Sequence, residues 1–170
     1  MKLVEIKDVR PGQIRKVTAF NQWKDEEEFE VLAVIEASGL GEYAEFDTYA
    51  EFYDIKTKQL MEDDSEELRF YENGRLIGKL GITHRIEDNR LVEIQPVFKE
   101  QKINTDDIVK ILEDDSCPWV VVTTYNAKKY KRYISLLSYH DSHFSENEVE
   151  KIGILGVTHE FVNDREAANE

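Results

Sequence analysis

Two of the four histidines of this chain lie in a repeated segment and could supply acid–base chemistry. The segment reads IGKLGITHRIEDNR at 77–90 and IGILGVTHEFVNDR at 152–165. Each copy contains a Thr-His pair, so His84 and His159 occupy equivalent positions. Because imidazole titrates near neutral pH, two such rings facing one cleft could act as acid and base. His84 and His159 are therefore the candidate catalytic residues of a two-histidine hydrolase.

A structural role is the alternative for this repeat. The order of residues does not fit the two-histidine phosphoesterases, which place a His-x-Thr or His-x-Ser element in each half of the fold. This chain instead has His84-Arg85-Ile86 and His159-Glu160-Phe161. Glycines inside strands mark bulges or close backbone approach, so the paired glycines of each copy favour a duplicated, sharply bent strand unit.

The remaining histidines, His140 and His143, are the candidate metal ligands, because zinc binds histidine and carboxylate side chains. No HExxH motif accompanies them, and Cys117, the single cysteine, has no neighbouring histidine that could activate it. Glycine-rich phosphate-binding motifs and G-x-S-x-G are also missing. These observations favour a solvated loop at His140 and His143, and we expect no metal or cofactor.

The formal net charge of −14 restricts the classes of partner. Non-specific binding to nucleic acid depends on clustered lysine and arginine, and an acidic surface repels phosphates. We therefore expect a basic protein or a nucleic-acid-binding protein as the partner. The single cysteine, the lack of a signal peptide in MKLVEIKDVR and the shortness of every apolar run predict a cytoplasmic protein that does not enter a membrane.

The segment from Tyr43 to Ile55 predicts a half-buried antiparallel strand, because its residue types alternate with a period of two. The face assigned to the core consists of Ala44, Phe46, Thr48, Ala50 and Phe52. The candidate partner-binding face consists of Glu45, Asp47, Tyr49, Glu51 and Tyr53. Tyrosine supplies contact area at interfaces, and carboxylates steer a basic partner toward them.

A basic cluster supports a different site. The cluster consists of Lys128, Lys129, Tyr130 and Arg132. An aromatic ring among cations can stack on single-stranded bases, which would make this a nucleic-acid site. In so acidic a chain, pairing of these cations with the protein's own carboxylates is the competing explanation.

The pattern of elements predicts an α+β fold, mainly antiparallel β, as a small barrel or a strongly curved sheet with two or three short helices. Strands are expected at 13–20, 29–36, 43–55, 75–86 and 91–98, with turns at Asn73-Gly74 and at 87–90. Helices are expected near 65–71, from Asn104 to before Asp114, and from Ser145. The segment 127–139 fits either a helix or the return strand of a hairpin.

Residues 1–100 are expected to form the antiparallel region, and their element order matches a five-stranded barrel of the OB kind. Residues 101–170 are expected to form a smaller α/β region packed on it, with a partial repeat of the first region as an open alternative. The leading function is a non-enzymatic, acidic binding protein: an inhibitor, an immunity-type protein or a phage or mobile-element accessory factor, with carboxylates that can mimic phosphates. The alternatives are an OB-like module for single-stranded nucleic acid or a nucleotide, and the two-histidine hydrolase.

Overall fold

The structure, a computed structural model, describes residues 2–21, 28–38, 48–61, 68–98, 103–113, 119–125, 133–136, 143–144 and 147–163. Within these ranges the protein is built from antiparallel β-strands and contains no helix. The strands are β1 (Lys2–Glu5), β2 (Gln13–Asn21), β3 (Phe29–Ser38), β4 (Thr48–Tyr53), β5 (Leu68–Lys79), β6 (His84–Glu87), β7 (Arg90–Glu93), β8 (Asp107–Ile111), β9 (Val120–Tyr125), β10 (Tyr133–Leu136), β11 (His143–Phe144), β12 (Val149–Ile154) and β13 (His159–Val162). A helix with the length and apolar character needed to cross a bilayer is not found in the described ranges.

The chain forms two compact units. Unit A comprises Lys7–Pro96, and unit B comprises Met1–Ile6 together with Val97–Glu170.

Unit A is built on a four-stranded sheet in the order β4-β3-β2-β5. Strands β2 and β3 are rich in valine, isoleucine and alanine, and β-branched side chains pack well on a pleated sheet. One cluster of buried side chains contains Val17, Ala19, Val31, Ala33, Ile35 and Phe52. A second cluster contains Ile14, Leu32, Val34, Tyr53 and Leu91. Neighbouring residues of β3 and β4 thus belong to different clusters, so both faces of this sheet are buried.

A separate two-stranded ribbon, β6–β7, follows the sheet in unit A. Glu87 pairs with Arg90 at its tip, and Asp88 and Asn89 between them have φ values of 50° and 57°. Positive φ at both central residues is what a type I′ hairpin turn requires. The turn predicted at 87–90 is therefore confirmed.

Unit B contains a five-stranded sheet in the order β11-β10-β9-β8-β12. Its core cluster consists of Val109, Ile111, Val120, Val122 and Val149. A ribbon of β1 and β13 completes the unit, with Lys2 opposite Val162 and Glu5 opposite His159. The first described strand of the chain is thus paired with the last one.

The predicted helices are not confirmed. Residues 68–71 belong to β5, while Ser65 and the rest of that predicted helix lie outside the described residues. Strand β8 replaces the helix predicted from Asn104, because β9 and β12 pair with it on either side. The Asp107 carboxylate accepts a hydrogen bond from the Asn104 N–H (2.8 Å) and closes a turn before the strand. Ser145 is not among the described residues, and the expected helix after it is replaced by β12.

The segment 127–139, which fitted a helix or a strand, is described only at 133–136, where it forms β10. The described strands form open sheets and no closed barrel, so the barrel of the OB kind is not supported. The strand expected over 75–86 is interrupted at 81–83 by a turn.

The expected turn at Asn73-Gly74 is instead a bulge within β5, where the register against β2 shifts between Lys16 and Thr18. Gly74 has a φ of +61°, and a Cβ atom there would lie 2.5 Å from Cγ1 of Val17 and 2.6 Å from the Lys16 carbonyl oxygen. An Asn-Gly pair suits a bulge as well as a turn, because both need positive φ.

Substitution of Gly74 tests this account of the bulge. Gly74→Ala should lower the free energy of unfolding by on the order of 3 kcal/mol, because backbone strain and overpacking add. Gly12→Ala is the matched control, since Gly12 has a φ of +84° but its Cβ would meet nothing nearer than 3.9 Å. The control should lose only about 1 kcal/mol in urea denaturation. Equal losses in the two variants would show that contact with Val17 is unimportant.

Candidate functional site

The first Thr-His turn connects β5 to β6. Gly81 has a φ of +81°, and its N–H donates to the His84 carbonyl oxygen at 2.8 Å. The Thr83 N–H donates to the Lys79 carbonyl oxygen at 2.9 Å, and Leu80 forms an isolated bridge with His84. The chain therefore makes a tight turn immediately after the long strand and places His84 at the start of the next one.

The second Thr-His turn, between β12 and β13, has the same geometry. Gly156 has a φ of +76°, and its N–H donates to the His159 carbonyl oxygen at 2.7 Å. The Thr158 N–H donates to the Ile154 carbonyl oxygen at 2.9 Å, and Leu155 bridges His159. The sequence identity of the two segments is thus matched by the same backbone path.

The threonine hydroxyl is the centre of each turn. Thr83 Oγ1 accepts the Lys79 N–H at 2.7 Å and lies 3.1 Å from the Lys79 carbonyl oxygen and 2.8 Å from Nδ1 of His84. Thr158 Oγ1 has the corresponding distances of 2.9 Å and 3.2 Å to Ile154 and 2.8 Å to Nδ1 of His159. If the hydroxyl proton goes to the carbonyl, the imidazole Nδ1–H donates to Oγ1 and Nε2 is left as an acceptor.

A glycine on the preceding strand makes room for each threonine and histidine. A Cβ atom on Gly78 would lie 2.3 Å from Thr83 Oγ1 and 2.5 Å from His84 Nδ1. On Gly153 it would lie 2.0 Å from Thr158 Oγ1 and 2.9 Å from His159 Nδ1. The first glycine of each repeated segment is therefore explained by close packing of the polar pair against the strand.

Both imidazoles are buried, but their surroundings differ. Burial lowers the pKa of His84, the carboxylate of Glu93 opposes this effect, and Lys58 adds to it. His84 Nε2 lies 3.9 Å from Oε2 of Glu93. Burial also lowers the pKa of His159, against the attraction of Glu5.

The Nε2 atom of His159 is buried and makes no hydrogen bond with the described residues. The His159 ring meets the Trp119 ring edge-on, with 4.3 Å between ring centroids.

The geometry limits the chemistry that these turns can perform. Thr83 is 0% exposed and Thr158 is 4% exposed, and each hydroxyl is bonded to strand backbone and to an imidazole. Neither hydroxyl can act as a nucleophile without breaking these bonds. His84 and His159 belong to different units, so their joint role as acid and base remains a prediction.

The expected partner-binding face is only partly described. Tyr53 is 1% exposed and packs in the core cluster with Ile14 and Leu32, so it is not on the surface. Its hydroxyl donates to Oε2 of Glu51 at 3.1 Å, and burial together with the charges of Glu51 and Glu36 raises the pKa of Tyr53 to about 12. The period of two did not separate core from solvent here because both faces of the sheet are buried.

The structure describes the other members of that face to different extents. Glu51 is half-buried, and Tyr49 is described only by its backbone pairing with Ala37. Glu45 and Asp47 lie outside the described residues. Phe52, assigned to the core, is buried as expected. A binding role for this face remains a prediction that rests on its carboxylates.

Most of the remaining candidate residues lie outside the part of the chain that the structure describes. The basic cluster of Lys128, Lys129, Tyr130 and Arg132 lies outside the described residues, as does His140. The backbone of His143 pairs with Ser135 in β11. Three or more metal-ligating side chains do not come together anywhere in the described ranges.

Two buried polar pairs were missed by sequence reasoning. Lys151 Nζ lies 3.0 Å from Oδ1 of Asp107, with both side chains 1% exposed, and burial raises the pKa of Asp107 despite this ion pair. In unit A, Arg15 Nε donates to Oε1 of Gln13 at 3.0 Å, and burial lowers the pKa of Arg15. The sequence pattern instead places Asp107 at a helix start, and no local pattern distinguishes a buried lysine or arginine from an exposed one.

Comparison with known proteins adds no relative. No family model, no curated protein and no solved structure matches this chain.

Replacing the threonine tests the importance of its hydroxyl. Thr83→Val keeps the shape but leaves the Lys79 N–H and the His84 Nδ1 without their partner, so it should cost about 1–3 kcal/mol of unfolding free energy. Thr83→Ser, which keeps the hydroxyl and loses a methyl group, is the matched control and should cost less. Urea denaturation of both variants decides this, and a smaller loss for valine than for serine would contradict the role of the hydroxyl.

The buried histidines predict a pH dependence of stability. Their folded-state pKa values lie below the ordinary 6.5, so the unfolded chain takes up protons first as the pH falls. The contribution to stability is therefore complete above about pH 6.5 and is lost as the pH falls below it. A His84→Gln, His159→Gln double variant should show a flatter dependence of unfolding free energy on pH between about 7 and 5. An unchanged slope would mean that the rings are protonated equally in both states.

Proposed function

We propose that this protein is a non-enzymatic binding protein that recognises a basic protein partner through surface carboxylates. The observation that carries the proposal is the excess of 36 acidic over 22 basic residues, a formal charge of −14. Such a charge produces a negative potential around the molecule and accelerates encounters with a basic partner. An inhibitor, an immunity-type protein or a mobile-element accessory factor that mimics phosphates has these properties.

The state of the polar groups in the two turns supports a binding role over catalysis. The hydroxyls of Thr83 and Thr158 satisfy strand backbone, and the imidazoles beside them are buried. The contacts of the two hydroxyls are accounted for by folding, because each hydroxyl satisfies backbone groups that would otherwise be buried without a partner.

The carboxylates of β3, β4 and the segment between them are the proposed contact region. Glu36 is exposed on β3, and Glu51 is half-buried on β4, where it pairs with Val34. Asp47 precedes β4 in the sequence. Glu30, by contrast, forms a salt bridge with Lys16, with 3.0 Å between Oε2 and Nζ, and this neutralises part of the negative charge at the opposite end of β3. The contact region is therefore proposed to involve Glu36, Asp47 and Glu51 without the buried Tyr53.

We further propose that the chain contains an internal duplication. The sheet orders β4-β3-β2-β5 and β10-β9-β8-β12 match element by element along the sequence. In both, the last of these strands leads into a Thr-His turn with the same hydrogen bonds. A common origin of the two halves accounts for both likenesses.

Charge reversal tests the proposed contact region. The protein is used as bait in a lysate at low and high salt, the captured protein is purified, and its association rate is measured at several ionic strengths. An Asp47→Lys, Glu51→Lys variant should associate roughly tenfold more slowly at low salt and show a weaker salt dependence. Glu113→Lys, Glu148→Lys changes the net charge equally on exposed residues of unit B and should have a smaller effect.

Two results would contradict the proposal. Equal effects of the two double variants would remove this region as the contact. Retention of nucleic acid in place of a basic protein would overturn the proposed class of partner.

A further inference from the structure

A second, shorter repeat becomes meaningful once the strand register is known. Leu3-Val4-Glu5-Ile6 and Leu91-Val92-Glu93-Ile94 are identical in sequence. The first forms most of β1 and the residue after it, and the second forms most of β7 and the residue after it. We call either segment the LVEI segment.

Each LVEI segment pairs with the strand that follows a Thr-His turn, in the same register. Glu93 is opposite His84, and Glu5 is opposite His159. The Ile94 N–H donates to the Thr83 carbonyl oxygen at 2.7 Å, and the Ile6 N–H donates to the Thr158 carbonyl oxygen at 2.8 Å. The glutamate of the segment thus lies beside the buried histidine in both units.

The equivalence extends to the strands that precede each turn. The Leu80 N–H donates to the Gly12 carbonyl oxygen at 2.9 Å, and the Leu155 N–H donates to the Asp106 carbonyl oxygen at 2.7 Å. Gly12 and Asp106 both have positive φ, at 84° and 70°. The N–H groups of these two residues donate to β3 and β9 respectively, at 2.7 Å and 2.9 Å.

The connection of the LVEI segments to their acceptor strands differs. The segment at 91–94 follows its acceptor, β6, after a two-residue turn. The segment at 3–6 opens the sequence, and its acceptor, β13, is the last described strand. If each repeat begins with its LVEI segment, the segment of the first repeat pairs in unit B, where the second repeat ends. The segment of the second repeat pairs in unit A, where the first repeat ends.

We infer that the edge of β13 is a strand-binding site for an extended Leu-Val-Glu-Ile segment, filled by β1 of the same chain and able to accept β1 of a second copy. The inference rests on the proposed duplication and not on the proposed basic partner. The backbone ladder supplies affinity, and the side chains select the sequence. Exchange of an identical strand between copies needs no new contacts, so its cost is low.

A peptide competition in the full chain tests the site. The Ile6 N–H faces β13, and alternate residues of a strand point their N–H groups to the same side, so the Val4 N–H faces β13 as well. Val4→Pro removes that donor and should free the β13 edge. A fluorescent peptide KLVEIK should then bind this variant about tenfold more tightly than the scrambled KEILVK, and should not bind the wild type, whose own β1 has a high effective concentration.

A second measurement covers the case in which Val4→Pro does not fold. Leu3 and Phe161 are directly opposite, so cysteines there are close enough for a disulfide. Two full-length chains, Leu3→Cys and Phe161→Cys, each with Cys117→Ser, are refolded together at high concentration and oxidised. Strand exchange should give a disulfide-linked dimer of one chain with the other, in excess over either self-dimer. Sequence-selective peptide binding or the mixed dimer supports the inference, and the lack of both overturns it.

Discussion

The rest of this fold depends on the hydrogen bonds that the buried hydroxyls of Thr83 and Thr158 make with strand backbone. At the end of β5 and again at the end of β12, the hydroxyl takes the place of a paired strand by satisfying both the N–H and the nearby carbonyl of one residue. Buried backbone groups need such partners when a ladder ends. Because the same oxygen also meets the imidazole of the next residue, it fixes that ring beside a glycine and starts a new strand in a new direction.

Each unit buries one cation beside an oxygen-bearing side chain, Arg15 with Gln13 in unit A and Lys151 with Asp107 in unit B. Gln13 is opposite Lys79, and Asp107 is opposite Ile154, so both oxygen-bearing side chains lie beside the residue that binds the threonine. The cations that bind them lie at equivalent cross-strand pairs, Arg15 opposite Leu76 in unit A and Val109 opposite Lys151 in unit B. In unit A the cation is on the same strand as Gln13, whereas in unit B it is on the strand opposite Asp107. A buried charge without a partner is costly, which couples the residue types at these paired positions.

Sequence reasoning identified the features that depend on local pattern. Strands rich in valine and isoleucine, such as β2 and β3, and the hairpin turn at Asp88-Asn89 follow from residue type and spacing. The errors occurred where partners distant in sequence decide the outcome. Tyr53 is buried because Leu91 of β7 packs in the same cluster on its face of the sheet. Asn104 to Asp107 begin a turn into a strand because β9 and β12 lie on either side of β8.

The chemistry of the candidate site shows the same limit. The Thr-His pairs were visible as a repeat, but whether a histidine is reactive or structural depends on what its nitrogens meet. Gly78 and Gly153 were the available signal, since a glycine five residues before each threonine is what allows the polar pair to pack on the strand. The four-residue LVEI identity is too short to stand out until the pairing of β1 and β7 is known.

The pairing of β1 with β13 has a consequence during biosynthesis. β1 leaves the ribosome before its partner strand has been translated, whereas all strands of the unit A sheet and the β6–β7 ribbon emerge in succession. The edge of β1 that pairs with β13 therefore has no partner at that stage, and unpaired strand edges invite wrong partners. Because residues 3–6 are identical to residues 91–94, β6 is an alternative pairing partner for β1 while β7 is still inside the ribosome. The speed of translation through this stretch can thus influence which of the two strands β6 receives.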